Sequence, residues 1–380
     1  MNLNELKTLA QEGNKDAIYE LGTKYFTGDG VPIDSKEGEK WIRKAIQLGD
    51  DRAMNDLAGR LIHGVGVKKN QEEAYQLYRQ AIELRNPRAM ASFGVIQIEI
   101  HKNWDEGEQL LKEAIELGNT YALTELGWRL IQYKDEREEG EKLLRKAASV
   151  EEIYALFYLG QFIINDIIPG STEEAKTLLR KASDKGHVDA MRILGNHMLS
   201  GKKIKKNPPF GLLLLKQSAS HGNLEAMFDV AEYLMSEVRT PEAMQEAVMH
   251  LTKAAQFEHP LAMQVLGRLL MDGVQVEKNF EEGLFWLRKS AETGNPGSMY
   301  LLGSGMLEGQ YPQSSPEEGM EWIRKAAPDY PPAMYVLGYY LLENRETAEE
   351  GIFWIFQASQ AGVPEAIETI SRLENMKRDQ

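Results

Sequence analysis

The sequence predicts an all-α fold, an α/α solenoid of about ten helix-pair repeats with a half-repeat at each end, and three observations predict it. The first is an alanine that returns at nearly fixed spacing. It stands at Ala17, Ala53, Ala89, Ala122, Ala155, Ala190, Ala226, Ala262, Ala333 and Ala366, with Ser298 in the ninth place, and the steps run from 33 to 36 residues. That is the period of a two-helix unit that cannot bury its apolar face alone and is stable only when stacked on copies of itself. The second is a small residue five positions after each anchor, from Gly22, Ala58 and Gly94 to Gly303, Gly338 and Ser371. The third is a small position in the other half of each unit, among them Gly38, Ala74, Gly107, Gly140, Ala175 and Gly351. Glycine inside a helix costs about 1 kcal/mol relative to alanine. Glycines kept in register at that cost imply a close crossing of two helices.

The unit at 261–295, LAMQVLGRLLMDGVQVEKNFEEGLFWLRKSAETGN, shows the plan. Ala262, Leu266, Gly267, Leu270 and Met271 fall on one face of a first helix. A second helix opens with Glu281 and Glu282, passes through Gly283, Trp286, Leu287 and Ala291, and stops at Gly294.

Taken in order, residues 2–15 read as a lone second helix and cap. It ends at Gly13 as later copies end at Gly49, Gly118, Gly186, Gly222, Gly294 and Gly362, because glycine past a helix accepts the left-handed conformation that closes the last turn. Repeats fill about 16–363. The first has the loop TGDGVPID between its helices, the second HGVGVKKN, and the third to fifth have clipped turns such as YKDER. The sixth carries the basic loop GKKIKKNPP, and the seventh SEVRTPEA in place of the glycine pair. A C-terminal capping helix spans 364–377 and runs into the polar tail ENMKRDQ. With no linker or low-complexity segment, 1–380 reads as a single domain. Trp41, Trp286, Trp322 and Trp354 share one register of the second helix and are expected to pack between repeats. Second helices begin with acids (Glu138, Glu139, Glu317, Glu318) and end with bases (Arg145, Lys146, Arg324, Lys325), which complements the helix dipole.

Composition narrows the function. The 380 residues contain no cysteine, which removes disulfide and thiolate chemistry and suits a reducing compartment. The net charge of −14 makes nucleic acid and anionic membranes poor partners and suits a basic one. There is no basic start followed by an apolar run and no stretch of about 18 apolar residues, so neither a secretory signal nor membrane insertion is expected.

The run of Ala, Leu-Gly, a glycine-containing loop, an acidic start, an aromatic and Lys/Arg-Ala resembles the Sel1-like repeat family, relatives of tetratricopeptide repeats with a longer inter-helix loop. DAIYELGTKYFTGDGVPIDSKEGEKWIRKAIQLGD and the unit at 261–295 carry the resemblance best. It covers about 4–375, and the copies near 88–173 depart from it toward plain tetratricopeptide units. The resemblance implies a right-handed superhelix and a non-catalytic adaptor that binds a protein partner along a concave groove lined by first helices. Family members occur in bacteria and eukaryotes. An immunity protein against a bacterial toxin is a narrower version, and a β-lactamase-like hydrolase is the alternative from another class. A cytoplasmic, bacterial setting is the expectation.

On those first helices the positions three before and one after the small residue, four apart and so on one face, are expected to meet the partner. The candidates are Tyr19, Trp128, Phe157, Arg192, Phe228, Arg268, Tyr300, Tyr335 and Tyr339, residue types that anchor protein interfaces. Catalytic, metal and cofactor sites are not expected. GxSxG and HExxH are missing, and the seven histidines are scattered. His187 and His221 are read as equivalent helix ends. GNHMLSGK at 195–202 has five residues between its glycines where a phosphate loop has four. Ser200 and Lys203 have SxxK spacing without partner motifs. Lys202, Lys203, Lys205 and Lys206 read as a solvated loop.

Overall fold

A computed structural model describes residues 3–378 apart from 274–275 and 312–314, with side chains to residue 373. Among these residues there are twenty-two α-helices, one π-helical turn and no strand. A lone helix, Leu3–Gln11, is followed by ten pairs that begin with Lys15–Thr27 and Ser35–Gln47 and end with Pro331–Leu341 and Ala348–Gln360. A final first-type helix, Pro364–Arg378, runs into the polar tail, whose side chains lie outside the described residues. The chain forms two compact units, Met1–Ala190 and Met191–Gln380. Within each, a first helix packs on its own second helix, and that second helix packs on the first helix of the following repeat.

Every anchor alanine is buried, and most are fully so. In most repeats its position is set by a cap three residues earlier. Asn14, Asn86, Asn119 and Asn223 accept from the backbone N–H of Ala17, Ala89, Ala122 and Ala226 at 2.7–3.0 Å. Asp50 and Glu152 do the same for Ala53 and Ala155. Such a side chain satisfies an N–H that the first turn leaves without a partner. The buried alanine thus marks the first turn of each first helix.

The small residues bring paired backbones into contact. A Cβ added to Gly140 would lie 2.5 Å from the Gly127 carbonyl oxygen and 2.6 Å from Ile131 Cγ1. One added to Gly107 would lie 2.6 Å from the Gly94 carbonyl, and one added to Gly351 2.7 Å from that of Gly338. The second-helix glycines expected in the left-handed region adopt it, from Gly49 at φ 71° to Gly294 at φ 96°. Where the corresponding turn lacks glycine, Arg85, Glu151 and Glu258 take the same conformation at φ 58–63°.

The tryptophan register packs between neighbours, as expected. Trp286 is buried in a cluster with Leu251 and Ala254 of the preceding second helix, Trp322 lies against one with Leu287 and Ala291, and Trp354 against one with Met320 and Ile323. The basic ends of second helices do more than complement a dipole. Arg145 donates from Nε to Glu141 of its own helix at 2.7 Å and from Nη1 to Glu174 of the next second helix at 2.5 Å. Arg43 makes the same bridge between Glu39 and Glu73. Arg288 and Arg324 reach Glu318 and Glu350. The seventh repeat departs from the plan. Its first helix, Leu224–Tyr233, continues as a π-helical turn, Leu234–Val238, which closes with Arg239 left-handed at φ 56°.

Two glycine substitutions separate propensity from packing. Gly140→Ala should destabilise by about 1–3 kcal/mol, because the methyl group meets the Gly127 carbonyl and overpacking has that cost. Gly59→Ala, whose Cβ would meet nothing nearer than the Tyr78 hydroxyl at 3.5 Å, should stabilise by up to about 1 kcal/mol. Urea denaturation of both variants reads the opposite signs.

Candidate interaction surface

The orientation of the first helices follows from their small residue. A Cβ on Gly22 would meet Ile42 of the paired second helix, so the position five after the anchor faces that helix. At 100° per residue, the positions one before and three, six and ten after the anchor lie on the opposite side. In the fourth repeat these are Tyr121, Glu125, Trp128 and Gln132. In the fifth they are Tyr154, Tyr158, Gln161 and Asn165. Tyr121 and Tyr154 are 43% and 50% exposed.

Aromatic side chains on and beside this face form a connected stripe. Trp128 and Tyr158 stack at 5.3 Å and 18°. Tyr133, 62% exposed, leans on Trp128 at 5.6 Å and on Trp104 at 6.4 Å. Arg129, only 2% exposed, fixes the stripe from beneath. It pairs with Glu99 of the preceding first helix and with Glu125, and its guanidinium carbon lies 4.3 Å from the Trp128 ring centroid. Trp128 Nε1 donates to Glu125 at 3.3 Å. The rings are therefore held in place before any partner arrives, which lowers the entropy that binding must overcome.

The candidate residues divide by column. Those one after the small residue, Trp128, Arg268 and Tyr339, lie on the open side, and Arg268 and Tyr339 are exposed. Those three before it turn sideways toward the following repeat. Phe157 is 7% exposed and stacks on His187 at 4.2 Å, and Phe228 stacks on His259 at 5.4 Å. Tyr300 meets Tyr330 at 5.2 Å, and the half-buried Tyr335 packs in a cluster with Val363 and lies 6.1 Å from Tyr339. The Tyr19 hydroxyl donates to Asp56, and Arg192 bridges to Asp229 at 3.2 Å. The reason is angular: that column lies about 60° from the direction of the paired helix, where the next repeat begins. Tyr121, Tyr133, Tyr154 and Tyr158 were missed. Counting one before and three after the anchor would have found three of them.

The stacked histidines are helix caps. His187 Nδ1 accepts from the Ala190 N–H at 3.3 Å, and His259 Nδ1 from the Ala262 N–H at 3.1 Å. They take the place that asparagine holds elsewhere. His221 is not their equivalent, contrary to the sequence reading. It precedes its glycine, and its Nδ1 pairs with the Gln217 carbonyl at 2.8 Å. Burial lowers the pKa of His187 and of His259. Asp189 and Glu152 oppose the shift at the first, and Glu225 and Asp229 at the second.

Among the described residues, no group of three or more His, Asp or Glu could hold a metal ion. No helix there is long and apolar enough to cross a membrane. Lys202, Lys203, Lys205 and Lys206 are exposed, in a loop anchored by buried Ile204.

The family described as Sel1 repeat matches residues 15–50, 51–86, 153–187, 188–223, 224–256, 260–295, 296–327 and 331–363. This chain belongs to the Sel1 repeat family, whose fold generally mediates protein–protein interaction. The matches pass over the third and fourth repeats but include the fifth, which the sequence reading had grouped with the divergent copies. No curated protein matches. Among solved structures, a protective antigen of uropathogenic Escherichia coli with an SLR fold is 24% identical with TM-score 0.55, over 96% of this chain and 81% of its own. A Sel1 repeat protein from Oxalobacter formigenes is 21% identical with TM-score 0.53, over 79% of this chain and 89% of its own. An immunity protein from Pseudomonas aeruginosa is 21% identical with TM-score 0.43, over 55% and 82%.

The histidine caps generate a pH dependence. A cap acceptor must be neutral, and a pKa lowered in the fold means that the unfolded chain binds more protons between the two values. The stabilisation is therefore complete above about pH 6.5, the unfolded value, and is lost as pH falls through the folded value. Melting temperature should drop more steeply from pH 7.5 to 5 (about 2.5 units) in the native chain than in a His187→Asn/His259→Asn double variant. Parallel curves would remove the caps from the explanation.

Proposed function

We propose that this chain is a non-catalytic scaffold or adaptor that holds a protein partner against the open side of its first helices, with 1–380 acting as one array. The observation that carries the reading is the preorganised stripe of Trp128, Tyr133 and Tyr158, flanked by the exposed Tyr121 and by Tyr154, which rests edge-on against His187 at 5.1 Å. Aromatics fixed by a buried Arg–Glu network and left open to solvent are the usual anchors of an interface. The net charge of −14 favours a basic partner, and a cytoplasmic one is consistent with the lack of cysteine. Trp128, Arg268 and Tyr339 remain direct-contact candidates. Tyr19, Phe157, Arg192, Phe228, Tyr300 and Tyr335 act through the packing of repeat on repeat.

Affinity purification from the native host, read by mass spectrometry, supplies a partner to test. Tyr121→Ala/Tyr154→Ala removes two exposed rings, and circular dichroism and melting temperature check that the fold survives the loss of the Tyr154 contact with His187. It should weaken binding by about tenfold or more, corresponding to at least about 1.4 kcal/mol. Lys142→Ala, on an exposed face of a second helix, should leave affinity unchanged. Equal affinities for native chain and double variant would place the interface elsewhere.

A further inference from the structure

A second site, independent of the aromatic stripe, lies in the unit Met191–Gln380. A cleft of about 560 Å³ opens between the loop that follows Val188–Ser200 and the end of the first helix of the seventh repeat. One wall carries Lys202 and Lys206, and the other Glu232 and Glu237. Leu199 and Tyr233 line the cleft between them.

Both walls are built. The lysine loop is tied down by buried Ile204, by Gly201 at φ 70°, and by the Asn207 N–H donating to the Met198 carbonyl at 2.8 Å. The acidic wall includes the π-helical turn Leu234–Val238. A wider helical turn of this kind re-aims side chains and is frequent at functional sites. Deeper in, Asp229 is held by Arg192 at 3.2 Å and by Asn196 Nδ2 at 2.6 Å.

The charges across this cleft do not satisfy one another. Among the described residues, neither Lys202 nor Lys206 has an anionic partner, and neither Glu232 nor Glu237 a cationic one. Elsewhere in the chain, lysines and glutamates at comparable separation in sequence pair readily, as Lys216 does with Glu246 at 2.6 Å. A polyanion is disfavoured by the acidic wall and a simple cation by the lysines. A molecule with a negative end and a positive end is attracted by both walls at once, because each unlike pair lowers the Coulomb energy.

We propose that this cleft binds a zwitterion: a peptide-like molecule that presents a carboxylate to Lys202 and Lys206 and an ammonium to Glu232 and Glu237. The proposal does not depend on the scaffold reading. The same chemistry is available from a free short peptide and from the carboxyl end of a protein.

Isothermal titration of the full chain with Lys-Gly-Gly tests it, with two controls: the C-terminal amide, which keeps only the ammonium groups, and the doubly acetylated peptide, which keeps only the carboxylate. The zwitterion should bind saturably, and each control about tenfold more weakly or worse, a loss of about 1.4 kcal/mol. Lys202→Ala/Lys206→Ala and Glu232→Gln/Glu237→Gln change only exposed side chains, and each should reproduce the loss while leaving the circular dichroism unchanged. Lys-Gly-Gly at the carboxyl end of a carrier protein distinguishes the sources. Binding of both forms assigns a chain terminus, and binding of the free peptide alone assigns a small molecule. The proposal is overturned if the acetylated or amidated peptide binds as tightly as the zwitterion. It is equally overturned if none of the three saturates, or if the double variants bind like the native chain.

Discussion

The backbone contact between the two helices of a repeat is the constraint on which the rest depends. At Gly127 and Gly140, and again at Gly94 and Gly107, no Cβ fits between one helix and the carbonyl of the other. This contact fixes how the first helix is rotated about its own axis. Once the position five after the anchor is pressed against the paired helix, one side must face the next repeat and another must face solvent. Burial of the anchor alanine, the sideways stacking of Phe157 and the openness of Tyr121 and Tyr154 all follow from that rotation.

Neighbouring repeats are joined by two sets of polar links. On the second helices, arginines such as Arg43 and Arg145 reach from a glutamate of their own helix to one on the next. Exposed pairs of this kind contribute little singly, but repetition makes them a means of holding register. On the first helices, the link runs from the position two after the anchor to the cap of the next first helix. It is a hydrogen bond from Thr124 to Glu152 and a ring stack from Phe157 to His187. Different chemistry therefore occupies the same geometric place. The cap residue has a double duty, accepting from a backbone N–H and packing against the preceding repeat.

The same geometry sorts the surface into fixed and free parts. Charge that serves the fold is paired within or between second helices, as at Arg43 and Arg145, and between first helices, as at Arg192 and Asp229. The aromatic stripe and the cleft beside the π-helical turn are the places where side chains are positioned without being consumed by their neighbours. In the stripe, Arg129 is the organising group, since it supports Trp128 while pairing with both Glu99 and Glu125. In the cleft, the seventh repeat gives up the usual glycine loop, and the extended helix brings acids opposite a lysine loop.

The helix pairs, their boundaries, the small crossing positions, the capping glycines and the tryptophan register were legible in the amino-acid sequence. All of these are written by interactions within one repeat or by its period, and 36-residue spacing makes that local grammar visible. The π-helical turn was not legible, because SEVRTPEA signals only that the glycine pair is missing. Nor was the direction of each first-helix column, and the candidate list accordingly mixed residues such as Phe157 with residues such as Trp128. Periodicity shows which residues share a face, but a face has no direction until its neighbours are in place. Only the tertiary structure decided that direction, because it depends on where the following repeat sets its cap, and that distance is fixed by packing between helices rather than by the order of residues along one.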